Sequence, residues 1–428
     1  MHPDFPRDSD TSVATLANGV RVVTIRLPAL ETASVSVFVR SGSQHESRRL
    51  NGISHFVEHM AFKGTHERDC QQINLDAERL GADVNAHTDK DHTAYHMRGL
   101  ARDAEAFIRM LGDIVRHGSF PEAELERERQ VILHEYTEDD EDPMSTAYKL
   151  FDQTCFGTHA VAQPVIGTRA SIGRVTRDEL LAYVERQYTG ANLVVGVAGN
   201  VDPDRIVAAA TAAFGSMPRG AENLVEPPAY GGGIKARHLA GSSQTQIVFG
   251  FPIPSLKDPA HHASLVAAAL FGEGMSSPLL DQIRERRGLV YHAACSADVM
   301  ELAGQFVIEA STAPEHVDEF FIEVMRLLAA QAVHTDAVAL ERAQNQIAVR
   351  ALRALERPSQ RVEAAALDLF VHGRVRPRAE VSAALGAVGA AEVRNVFAQM
   401  LATPASAALA GRVGKGAADR VATLLAAG

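Results

Sequence analysis

An α+β (mixed α/β) fold made of two homologous repeats is predicted by three features of this 428-residue sequence. Short stretches alternate between apolar and polar residues with a period of two, as half-buried strands do. Longer stretches between them space apolar residues three and four apart, as amphipathic helices do. The same order of stretches returns after a segment rich in proline and glycine, and a chain of this length exceeds one ordinary core.

The first strands are read at 19–28 (GVRVVTIRLP) and 33–42 (ASVSVFVRSG), where Val35, Val37 and Val39 fall on one face. Ile53, Phe56, Val57 and Met60 then form one helical stripe, and Ile73, Leu75, Ala77 and Leu80 a second, less regular one. Strands at roughly 82–88 and 92–99 precede helices around 103–117, 122–137 and 142–154. A helix near 176–187 leads into NLVVGVAGN at 192–200, a buried strand ending in a turn.

Residues 217–235 (MPRGAENLVEPPAYGGGIK) hold three prolines and four glycines without apolar periodicity, the composition of a linker. The expected division is an N-terminal domain at 1–218, a linker at 219–235 and a homologous C-terminal domain at 236–428. The second half begins with a strand at QTQIVFGFP and helices at HHASLVAAALFG and SSPLLDQIRERRG. Strands at LVYHAACSA and AGQFVIEAST follow, then long helices from 315 and 336. LERER at 125–129 is answered by LERAQ at 340–344. Where the first repeat has HFVEH the second has ASLVAAALF, so the fold is present twice and the metal-binding pattern once.

The composition, 46% hydrophobic and 22% charged, excludes a disordered chain. A formal net charge of -11 leaves no broad cationic surface to neutralise phosphates, which argues against nucleic acid as the main partner. Cys70, Cys155 and Cys295 are far apart, odd in number and outside any CxxC pattern, as free thiols in a reducing compartment are. The opening MHPDFPRDSDTS lacks the basic start and apolar run of a signal peptide, and no stretch of about 18 apolar residues occurs. The expectation is a cytoplasmic, soluble protein without a membrane partner.

Chemistry concentrates in HFVEH. His55 and His59 are four apart, so on a helix both imidazoles project from one face at the spacing that lets two nitrogens reach one zinc ion. Glu58 beside them is placed to take a proton from zinc-bound water and return it to a leaving amine. The pattern HxxEH is the inverse of HExxH, the inverzincin arrangement. Alone it also fits a helix with two exposed histidines and a solvated glutamate, so a third ligand is required.

The candidate segment is ERERQVILHEY, where Glu128 and Glu135 lie two turns apart on one helix face. One of them can bind metal and the other support it. His134 begins an HExxH-like run, but position 138 is Glu, so the second imidazole is missing. His87, His92 and His96 also cluster, yet spacings of five and four on a strand-like segment place them on mixed faces, which argues against a second metal site. The glycines of GEGMSS lack the GK[ST] of a phosphate cradle, and the acidic run at 138–142 reads as a solvated helix end.

With these segments in view, the sequence resembles the family of pitrilysin, insulin-degrading enzyme and mitochondrial processing peptidase, in its short bacterial form, over nearly the whole chain. NGISHFVEHMAFKGT (51–65) is similar to the family's zinc helix, and ERERQVILHE (126–135) to the helix that supplies its third ligand. The resemblance implies that one zinc ion per subunit is bound by His55, His59 and Glu135, that Glu58 is the catalytic base and that Glu128 supports the site. NAHTDKDHTAYH (85–96) is similar to an edge strand on which the substrate peptide lies, with Asn85 and Ala86 beside the scissile bond and Asp91 where the family usually has Glu. GEGMSSPLLDQIRERRGLVY (272–291) resembles the C-terminal signature, whose Arg and Tyr, here Arg284 and Tyr291, hold substrate and stabilise the oxyanion.

The resemblance also implies two mainly antiparallel sheets packed with helices, and a clamshell built from four such units. This chain has two units, so the expectation is a homodimer with two sites, or a heterodimer with a homologous subunit. The expected reaction is endopeptide hydrolysis of short or unfolded peptides in the enclosed chamber of that dimer. A non-catalytic scaffold is the opposing reading, and the intact ligand set argues against it.

Overall fold

The structure of the protein, a computed structural model, describes residues 10–427. The opening segment read for a leader lies outside the described residues up to position 9. The first half of the chain carries strands β1 (Thr11–Thr15), β2 (Arg21–Arg26), β3 (Thr32–Val39), β4 (Asp83–Thr88), β5 (Thr93–Leu100) and β6 (Leu193–Gly199). Its helices are α1 (Ile53–Ala61), α2 (Cys70–Arg79), α3 (Ala104–Arg116), α4 (Glu122–Glu141), α5 (Pro143–Phe156), α6 (Arg169–Ile172), α7 (Arg177–Gln187) and α8 (Pro203–Phe214). The second half carries β7 (Gly233–His238), β8 (Thr245–Ile253), β9 (Val290–Val299), β10 (Gly304–Thr312) and β11 (Ser406–Gly411). Helices α9 (His261–Gly272), α10 (Val317–Val333), α11 (Ala337–Leu355), α12 (Pro358–His372), α13 (Arg378–Gly386), α14 (Ala390–Leu401) and α15 (Ala417–Ala427) complete it. Among the described residues no helix is long and apolar enough to cross a membrane.

The two sheets run β1-β2-β6-β3-β5-β4 and β7-β11-β8-β10-β9. Without β1 the orders coincide strand for strand, β2 answering β7, β6 answering β11, and so on to the edges β4 and β9. Direction matches too. The β2/β6 and β7/β11 pairs are parallel and all the others antiparallel. The two repeats and their mainly antiparallel sheets are therefore as expected.

Residues 33–39 of β3 are buried on both faces. Val35, Val37 and Val39 face one core, shared with α1, α3 and α8, while Phe38 faces another. That second face of the first sheet is covered by Val362, Ala365, Ala366, Leu369 and Phe370 of α12, packed on Val23, Ile25, Phe38, Ala94, Val194 and Ala198. Gly196 permits the approach, because a Cβ there would lie 2.3 Å from Val362 Cγ1. In the second sheet the matching face takes Ala147, Phe151 and Cys155 of α5 against Val248, Val307, Ala408 and Ala410.

Each repeat thus donates one helix to the other's sheet. One compact unit comprises the residues up to Tyr136, Pro164–Val225 and Arg353–Ala379; the other comprises Thr137–Gln163, Glu226–Leu352 and the residues from Glu380 on. One crossing, after Val225, falls inside the segment read as a linker, and residues 221–232 have no regular structure. The crossings that carry α5 and α12 are absent from a contiguous division at 1–218 and 236–428. Apolar periodicity shows that a helix is buried but not which sheet it covers.

The start of α1 positions the metal pattern. Gly52 precedes it at φ 93°, a conformation costly for other residues, and a Cβ there would lie 2.7 Å from the Ile166 carbonyl oxygen. The buried Glu46 carboxylate accepts the backbone N–H of Gly52 at 2.7 Å and of Ser54 at 2.8 Å, with Asn51 Nδ2 at 3.0 Å. Burial pushes this carboxyl up to about 7, against the pull of those hydrogen bonds. Ser54 Oγ lies 2.8 Å from the Tyr183 hydroxyl of α7.

Two outcomes follow from this packing. Glu46→Ala leaves two N–H groups at the head of α1 without their acceptor and is expected to cost about 2–3 kcal/mol in denaturant unfolding, with Glu46→Gln costing less. Residues 1–218 expressed alone lack α12, so the sheet face of Phe38 and Val194 is bare; the fragment is expected to bind a hydrophobic dye strongly and precipitate, as light scattering would report.

Candidate metal centre

Helix α1 buries Ile53, Phe56, Val57 and Met60, the stripe expected from spacing, at no more than 1% exposure. The opposite side therefore presents His55, Glu58 and His59. Helix α4 runs past it with Leu125, Glu128, Arg129 and Ile132 buried, whereas Val131 is exposed. Arg129 locks the two helices together: its guanidinium lies 5.5 Å from the centre of the Phe56 ring and donates to the Ile172 and Val175 carbonyls.

Glu135, on the same α4 face as Glu128, points at both imidazoles. Its Oε2 is 3.9 Å from His55 Nε2 and 3.5 Å from His59 Nε2, and the three ligand atoms lie within 4.8 Å of one another. These separations are long for hydrogen bonds but near the roughly 3.3 Å that separates ligand atoms on one tetrahedral zinc with bonds of about 2.0–2.1 Å. Burial, with the charge of His59, lowers the His55 pKa to about 4, which keeps that imidazole neutral, as a ligand must be. Two imidazoles, one carboxylate and an open side fit a catalytic zinc site.

The remaining groups orient this set. Glu128 Oε2 accepts from His59 Nδ1 at 3.1 Å, and its other oxygen pairs with Lys63 Nζ at 2.7 Å. Glu128 touches His59 and Lys63 instead of the ligand cluster, so it positions an imidazole through its far nitrogen. Glu58 Oε2 accepts from Thr88 Oγ1 at 2.8 Å. Burial raises the Glu58 pKa, while the Thr88 hydrogen bond and the charge of His59 lower it.

Thr88 ends β4, the outermost strand of its sheet, and Val84 and Ala86 on the same side pack toward the core. Ala86 is half-buried and Asn85 exposed, with Asn85 Oδ1 accepting the Ala86 N–H at 2.8 Å. Arg284 lies in the second unit on a π-helix at Leu280–Arg286, where an ordinary helix was expected. Tyr291, in the same unit, is the second residue of the edge strand β9 and is 81% exposed.

The two strands lie where the sequence put them, but counting the histidine spacings straight through the turn between them gave mixed faces. The Asp89 N–H donates to the His92 carbonyl and closes a hairpin, so His87 lies opposite Ala94 on the face that also holds His92 and His96. Asp91 is turned to this group, its Oδ1 accepting from His92 Nδ1 at 2.8 Å. Glu46, Lys63, Thr88 and Glu363 were not singled out from sequence. Thr88 was detectable, being an even number of residues from Ala86 on a strand, and Glu363 gave no signal.

Residues 21–169 match the family described as insulinase (peptidase family M16), and residues 174–347 match the peptidase M16 inactive domain. An uncharacterised zinc protease of Mycobacterium leprae is 35% identical over 329 residues, 75% of this chain and 73% of its own length. One from Rickettsia felis is 28% identical over 401 residues, 94% of this chain and 97% of its own. In fold, a protease from Helicobacter pylori superposes with a TM-score of 0.85 at 21% identity, covering 93% of this chain and 98% of that one. The peptidase M16 inactive domain from Pseudomonas fluorescens does so at 0.85 and 20% identity, covering 95% and 99%. With both halves matched and a relative of this identity and coverage, the chain belongs to the insulinase family, peptidase family M16.

Proposed function

We propose that the chain is a zinc-dependent metalloendopeptidase acting on short or unfolded peptides. The observation that carries this reading is the convergence of His55, His59 and Glu135 beside Glu58, on the partly buried polar side of a helix fixed at its start by Glu46. Zinc held there supplies Lewis acidity toward a peptide carbonyl and acidifies water. Glu58 takes the proton of the attacking water and delivers it to the leaving amine. The Thr88 hydroxyl donates to Glu58 Oε2 and so fixes the orientation of the carboxylate.

Substrate is held by the backbone. As an edge strand, β4 offers one row of N–H and C=O groups to an extended peptide, and this main-chain pairing near Asn85 and Ala86 tolerates many sequences. A folded protein has no free extended segment to offer, which favours short or unfolded substrates.

Arg284 and Tyr291 then serve as donors to the developing oxyanion. The exposure of Tyr291 supports its use by a surface outside its own unit. In this reading the facing zinc centre belongs to a second copy, giving a homodimer with two sites in an enclosed chamber. A heterodimer with a homologous subunit would use the same surface.

Glu58→Gln is expected to retain zinc by metal analysis and lose roughly 10²–10⁴-fold in cleavage of a fluorogenic peptide. A normal rate would refute the mechanism. Glu128→Gln should weaken zinc binding by roughly 10–100-fold, read by competition with a chelator. Size-exclusion mass should be that of a dimer, and mixing inactive Glu58→Gln with Tyr291→Phe subunits should recover activity, because one site of each mixed dimer then holds intact Glu58 and Tyr291. A fully active monomer would sink the shared site.

A further inference from the structure

On the other face of β4 lies a second cluster of metal-ligating groups, of which the peptidase reading makes no use. His87 on β4, His92 at the hairpin and Glu363 on α12 bring their ligand atoms within 4.8 Å of one another. All three belong to the first unit. His87 Nε2 and His92 Nε2 are 3.3 Å apart, the separation of two ligand nitrogens on a tetrahedral zinc with bonds of about 2.0–2.1 Å. Asp89 Oδ2 stands 3.8 Å from the first and 3.9 Å from the second, within reach as a fourth donor.

The far nitrogens are held as those of metal-bound imidazoles are. Asp91 Oδ1 accepts from His92 Nδ1 at 2.8 Å, so the neutral His92 ring has no hydrogen on Nε2. Although burial opposes it, Asp91, Asp89 and Glu363 raise its pKa, so in the absence of a cation they favour a proton in that place. Ser36 Oγ lies 2.8 Å from His96 Nδ1, and His96 Nε2 lies 2.9 Å from His87 Nδ1. With His87 donating to His96 and His96 to Ser36, His87 Nε2 is a bare lone pair as well. Two bare lone pairs then face each other beside carboxylates, an arrangement that a cation between them satisfies. With the relay reversed, one proton bridges the two rings instead, and the experiment below separates the two states.

We propose that His87, His92 and Glu363, with Asp89, form a second site for a divalent transition metal of the zinc class. A cleft of about 940 Å³ lined by Asn85, His87, His96 and Glu363 gives the ion a way in. The ion would clamp the β4/β5 hairpin to α12. Since Thr88 follows His87 on the strand and holds Glu58, the clamp would steady the base and the peptide-docking edge together.

The test is metal retention after gel filtration of the full chain loaded with zinc or cobalt. His55→Ala/Glu135→Ala, which removes the peptidase centre, is expected to keep one equivalent and to show the visible absorbance of tetrahedral cobalt. Adding His87→Ala and Glu363→Ala should abolish both signals. In the otherwise native chain the partly exposed Glu363→Gln alone should weaken the second equivalent at least roughly tenfold with unchanged circular dichroism. A metal-free His55→Ala/Glu135→Ala protein, or retention indifferent to His87 and Glu363, overturns the proposal and leaves a shared proton or an adventitious ion only.

Discussion

The central strands of the first sheet are apolar on both faces, and everything else is arranged to keep both faces from water. Val35, Val37 and Val39 must be covered on one side, and Phe38, Val194 and Ala198 on the other. A fully buried side chain of this size contributes about 1.5–3 kcal/mol, so an uncovered face of several such residues would exceed the net stability of an ordinary domain. One face recruits α1, α3 and α8, and the other recruits α12. Small polar residues interrupt the pattern at Thr24, Ser34 and Ser36, and toward the edge strand β4 each side of the sheet meets its own cluster of histidines and carboxylates.

The peptidase cluster owes its geometry to buried parts more than to its own contacts. Glu46 and Gly52 set where α1 begins, its apolar stripe sets the rotation, and Arg129 sets how α4 lies against it. His55, His59 and Glu135 then converge without hydrogen-bonding strongly to each other. That separation is the state a cation requires, because ligands already paired with one another would have to exchange those bonds for metal bonds. Glu128 and Thr88 act on the outer atoms of His59 and Glu58, which leaves the inner atoms available.

Much of this was legible in the sequence, for local reasons. Strand and helix periods located most elements within a few residues, and HxxEH with a glutamate pair two turns apart pointed to the ligands because helical spacing alone brings them to one side. Where the reading failed, distance along the chain was the cause. The hairpin at Asp89–His92 resets the alternation, so counting five residues from His87 to His92 gave the wrong face. Glu363 joins that group through α12, whose pattern carries no address for the sheet it covers. Tyr291 was singled out only through the family resemblance, and its exposure becomes visible only once β9 is known to be an edge.

The donated helix also imposes a schedule. The last segment of the first unit ends at Ala379, long after its strands are complete at Gly199. At translation rates of roughly 5–20 residues per second, the stretch from Val225 to Ala379 takes about 8–30 s to emerge, far longer than hydrophobic collapse. For that interval the face of Phe38 and Val194 is exposed on a nascent chain with its sheet already able to form. The half of the protein that bears His55, Glu58, His59 and Glu135 is thus the first made and among the last closed.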